Sequence, residues 1–91
     1  MPSVETVLIF GSYAARFQGH AGPQPADVDV LVIGEPPGRD LRRAAARIEE
    51  AIRMPVQLTA ISPGEWSAGA TGFVRDIQSK PTIPVPMEGN Q

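Results

Sequence analysis

The chain has 91 residues, eight basic and ten acidic, and a formal net charge of −2; this length fits one small domain. The charge balance supplies no clustered basic surface, which argues against direct nucleic-acid binding. The absence of cysteine excludes a disulfide framework and a thiolate zinc site.

Val4 to Phe10 is the first expected strand, leaving through Gly11-Ser12. Ser12 is placed to cap a short helix through about Gln18, carried by the helix formers Ala14, Ala15 and Arg16. Residues 19–25, rich in Gly and Pro, read as an exposed loop that includes His20. Val28 to Ile33 is a second strand, apolar throughout after Asp29, so it is expected to run inside the sheet with both faces covered. Asp40 offers an N-cap for a helix to about Arg53, with Leu41, Ala44, Ala45, Ile48, Ala51 and Ile52 as its apolar stripe. Arg42, Arg43 and Arg47 fall on the solvated face.

Val56 to Ile61 alternates as a third strand. Ser62-Pro63-Gly64-Glu65 has capping-box spacing with proline at the first helical position, so a short helix carrying Trp66 starts there. Phe73, Val74 and Ile77 sit at helical spacing in a last short helix to about Ser79. The order predicts a small α/β (α+β) domain, a mixed sheet of three to four strands with helices packed on it, over residues 1–80. Residues 81–91, with three prolines and a polar end, are expected to form an extended and then frayed tail.

One Trp, one Tyr and three Phe leave a thin core. A homodimer mate or another protein partner is therefore expected to cover a sheet face or edge. The longest apolar run is about half of what a spanning helix needs, and no basic stretch precedes the first apolar segment. Neither a membrane span nor a signal peptide is expected, and the expected compartment is the cytoplasm.

The candidate chemistry lies at two strand ends. Asp27 and Asp29 alternate along one strand, so they share a face, about 6.5–7 Å apart. Two carboxylates at that spacing repel each other unless a cation lies between them. A glycine-serine turn beside them suits a nucleoside triphosphate chelated to Mg²⁺ or Mn²⁺.

Gly11-Ser12, a spacer of fourteen residues, Asp27-x-Asp29 and an apolar strand together resemble the signature of the DNA polymerase beta-like nucleotidyltransferase superfamily. Within it, the chain looks like the minimal nucleotidyltransferase domains found with winged-helix regulators. The likeness covers about Val4 to Ile61, and more loosely the segment through Trp66. It implies that Gly11 allows close backbone approach to the triphosphate and that Ser12 donates to phosphate oxygens. It further implies that Asp27 and Asp29 hold one or two Mg²⁺ ions through hard oxygen ligands, while Arg16 adds charge near the phosphates. The implied reaction moves a nucleoside monophosphate to an acceptor hydroxyl and releases pyrophosphate.

One position departs from the family pattern. Active members carry a third carboxylate on the strand after the long helix, where this chain has Gln57. An amide does not take a proton at neutral pH. The alternative is therefore a catalytically degraded module that senses nucleotide or binds protein, antitoxin-like or associated with a regulator. An acceptor-recognising surface would come from a partner, a dimer mate or another domain.

Overall fold

A computed structural model of the chain describes residues 4–85. Its elements, in order, are β1 (Val4–Phe10), α1 (Gly11–Phe17), β2 (Val28–Gly34), α2 (Gly38–Ile52), β3 (Val56–Ile61), α3 (Pro63–Ala68), α4 (Gly72–Gln78) and β4 (Ile83–Pro84). The four strands form one sheet in the order β3-β2-β1-β4. β1 runs antiparallel to both β2 and β4, whereas β2 and β3 are parallel. The fold is thus a mixed-sheet α+β domain.

β2 occupies the interior of the sheet, as its unbroken apolar run requires, and Asp29 is its one residue that is not buried. The two faces of β2 feed two cores. Val28, Val30 and Val32 pack with Val7, Ile9 and Ala14, and α2 lays Leu41, Ile48 and Ile52 against that cluster. Leu31 and Ile33 meet Ile77 of α4 on the opposite face, with Leu8, Phe10, Ile61 and Trp66 around them. Helices therefore cover both faces of the short sheet.

Three local expectations change. Ser12 does not cap α1: the helix starts at Gly11, two residues before a Ser12 cap would place its start, and its N-cap is Phe10, without a side-chain cap bond. Asp40 does not cap α2 either. That helix begins at Gly38 after Pro37, whose φ of −59° is already helical, and Asp40 falls in the first turn, where a carboxylate faces the positive helix end. The C-terminal segment is extended through Val85, but it is docked: Ile83–Pro84 pairs with β1 and Val85 N–H donates to the Val7 carbonyl at 2.9 Å. The rest of the expected tail, 86–91, lies outside the described residues, as do residues 1–3.

The capping box forms as its spacing requires. Glu65 N–H donates to Ser62 Oγ at 3.1 Å, and Ser62 N–H donates to Glu65 Oε1 at 2.9 Å. Glu65 is thereby engaged in holding the start of α3. Trp66, half-buried, serves the second core.

Candidate functional site

The site is organised by the end of β1. Phe10, its last residue, pairs with Asp29 across the antiparallel ladder. On the other side of β2, Asp29 is in parallel register with Gln57. Residues in lateral register point to the same side of a sheet, so Asp29 stands between Phe10 and Gln57. Gln57 thus occupies the neighbouring strand position beside the carboxylate.

Immediately after Phe10 the chain turns into α1 through Gly11, whose φ is +76°. That value lies in the left-handed region that disfavours side chains. A second constraint acts at the same atom: a Cβ on Gly11 would overlap Asp29 Oδ2 and lie 3.3 Å from Asp29 Cγ. The glycine is required both by the turn and by the carboxylate seated against its backbone.

The Asp29 carboxyl is held above its ordinary pKa, first by burial and second by the negative charge of Asp27. The second cause reflects the proximity of Asp27, which lies in the bend two residues before Asp29 and outside the strand that the sequence pattern assigned to it. A cation beside Asp29 would oppose both causes by favouring the charged carboxylate. Among the described residues no group of three or more His, Cys, Asp or Glu is placed to hold a metal ion. The available hard donors are therefore two carboxylates, with the Gln57 amide oxygen on the adjacent strand. Mg²⁺ bound through one or two carboxylates and completed by phosphate oxygens and water is compatible with such a set.

Gly11 also borders a cleft of about 330 Å³, with Ser12 and Arg16 from α1, and Asp76, Ile77 and Lys80 from α4 and its exit. The cleft and the Asp29 carboxylate thus meet at Gly11. Arg16 lies in the last turn of α1; its Nη1 donates to the His20 carbonyl at 3.1 Å. Its guanidinium packs against Gly22, where a Cβ would overlap it, and its Nε is buried with no hydrogen-bond partner among the described residues. Lys80 pairs with Asp76 at 2.9 Å.

The structure therefore brings Gly11, Ser12 and Arg16 to one cleft and Asp29 to its Gly11 border, whereas Asp27, expected on the strand, lies in the bend just before β2. Sequence reasoning missed Asp76 and Lys80. Their only local signal was an i,i+4 charge pair at a helix end, and such pairs are ordinary on solvated helices. Neither a protein-family model, nor a curated protein, nor a solved structure matches the chain. Among the described residues no helix is long and apolar enough to cross a membrane.

Proposed function

We propose that this domain binds a nucleoside triphosphate as its Mg²⁺ (or Mn²⁺) complex at the junction of β1, β2 and α1. The observation that carries the reading is the seating of Asp29 against the Gly11 backbone, at the edge of a cleft that Ser12 and Arg16 also line. A carboxylate at the edge of a cleft with two cations, with a second carboxylate two residues before it, is chemically matched to a metal-chelated polyphosphate. Asp27 and Asp29 would hold the ion, which supplies charge neutralisation of the phosphates and Lewis-acid polarisation when bound. Gly11 leaves room for close approach, Ser12 offers a hydroxyl, and Arg16 offers its guanidinium. The resemblance to minimal nucleotidyltransferases supports the same reading and extends it to transfer of a nucleoside monophosphate to an acceptor hydroxyl.

A second reading rests on Gln57. The register puts an amide beside Asp29, where a proton acceptor for the attacking hydroxyl would be useful, and an amide does not serve as that base. Nucleotide binding without transfer, coupled to a protein partner or a second copy, is the corresponding function. The β3–α2 flank favours it, because neither element contains a buried residue.

Calorimetric titration of Mg²⁺-NTPs into wild type and Asp27→Ala/Asp29→Ala protein tests the first reading. Metal-dependent binding by wild type, lost in the double variant, is the expected outcome. No binding by wild type at millimolar nucleotide would defeat it. Gln57→Asp separates the two readings: transfer activity that appears only in this variant identifies the natural chain as a binder.

A further inference from the structure

The cleft beside Gly11 contains two cationic side chains and one carboxylate, and their arrangement is uneven. Arg16 is tethered: Nη1 is engaged with the His20 carbonyl, its guanidinium lies on Gly22, and the buried Nε has no partner among the described residues. Lys80, by contrast, is solvent-facing. Its side chain is 64% exposed, and the Asp76 side chain to which it pairs at 2.9 Å is 58% exposed. An ion pair that exposed contributes little, so Lys80 can exchange partners at small cost. A buried guanidinium N–H without an acceptor is, in contrast, an unsatisfied donor that a ligand oxygen would relieve.

The two walls of the cleft are also fastened to each other. Gln18, the residue that closes α1, donates from Nε2 to the Thr82 carbonyl at 2.6 Å. At the next residue β4 begins to pair with β1, so the Lys80–Pro81 segment is held between the end of α4 and the sheet. Ser12 and Arg16 on one wall and Lys80 on the other thus face a common space. Its volume, about 330 Å³, is at the small end of ligand sites and suits a charged chain of phosphates better than an enclosed base.

We propose that Lys80, acting with Arg16, grips the polyphosphate chain of the ligand in the α1–α4 cleft, and that Asp76 competes with the phosphates for Lys80. This rests on the nucleotide reading of the neighbouring carboxylates but assigns the C-terminal end of α4 to the same site. Asp76 then lowers affinity for any anion too weakly charged to displace it, which selects triphosphate over monophosphate. The ammonium–phosphate contact forms as the ammonium–carboxylate contact breaks, with no net change in proton count.

The test uses the full chain and two probes, Mg²⁺-ATP and metal-free inorganic triphosphate. Each is titrated into wild type, Lys80→Met, Asp76→Asn and Asp27→Asn/Asp29→Asn. Loss of one charge-assisted contact corresponds to about a tenfold weakening. That weakening is expected for both probes in Lys80→Met, and tighter triphosphate binding is expected in Asp76→Asn. Both substituted side chains are exposed, so both variants should fold, and circular dichroism checks this. Mg²⁺-ATP binding in Lys80→Met equal to wild type would overturn the role of Lys80 and leave the nucleotide reading standing. Triphosphate binding that needs Lys80, alongside Mg²⁺-ATP binding indifferent to Asp27 and Asp29, would uphold the grip and remove the metal-nucleotide reading. Failure of wild type to bind triphosphate overturns the proposal outright.

Discussion

The centre of the sheet and its β3–α2 flank are built from similar aliphatic residues but are finished to different degrees. In β2 six of seven positions are buried, and Leu31, Val28 and Val30 have no exposed surface. In β3 and α2 every residue is at least partly exposed, although Leu41, Ile48, Ile52, Val56 and Leu58 all touch the first core. The difference follows from position. β2 has a strand on each side and a helix layer on each face, while β3 ends the sheet, and its Gln57 and Thr59 side of the sheet is uncovered. A finished centre holds Asp29 in place beside Gly11; the flank leaves its apolar side chains partly exposed.

The sharpest way to break this comparison is to truncate a leucine in each region. Leu31→Ala removes a fully buried side chain and should cost about 3 kcal/mol, a large share of a small domain's stability. Leu58→Ala, at a half-buried flank position, should cost about 1 kcal/mol. Urea unfolding of the two variants measures the contrast, and equal losses would mean that the flank is as tightly packed as the centre.

Gly11→Ala tests the junction between core and site. The left-handed backbone alone costs a residue with Cβ about 1–2 kcal/mol, and displacement of the Asp29 carboxylate adds to it. Thermal melts should show the loss, and nucleotide binding should weaken more than stability does. A variant with wild-type melting and binding would show that Asp29 is not held against this backbone.

The smallest effect concerns the carboxylate itself. Burial and Asp27 raise the Asp29 pKa in the folded state, so ionised Asp29 opposes folding. Stability is therefore greatest below the unfolded-state pKa and declines as pH rises from there through the raised folded-state value. Asp29→Asn removes that decline. The expected outcome is a slightly higher melting temperature than wild type at neutral pH and no difference in strong acid. Metal binding should run the other way in wild type, strengthening as pH rises through the same titration because the ion binds the deprotonated form. A melting temperature lowered by Asp29→Asn at neutral pH would mean that the carboxylate is a structural hydrogen-bond partner instead.

The locally encoded parts of the fold were legible in the residues. β1 over 4–10 and β3 over 56–61 coincide with the hydrophobic runs, and the Ser62–Glu65 box forms because its partners are three residues apart. Helix starts were less legible. Gly11, by tolerating positive φ, lets α1 begin directly after an extended Phe10, and Pro37 presets the entry to α2, so the polar residues that resemble caps fall inside the helices. These are backbone effects that side-chain preference does not report.

The sequence by itself determined that the domain is α+β and that its second strand is interior. Each follows from periodicity and spacing over a few residues. Only the tertiary structure decided strand order and direction, the register of Asp29 with Gln57, the seating of Asp29 against Gly11, and the arrival of Asp76 and Lys80 opposite Ser12 and Arg16. Those contacts join segments tens of residues apart. They depend on which apolar faces bury each other, a property of the whole packed chain that no short window of sequence contains.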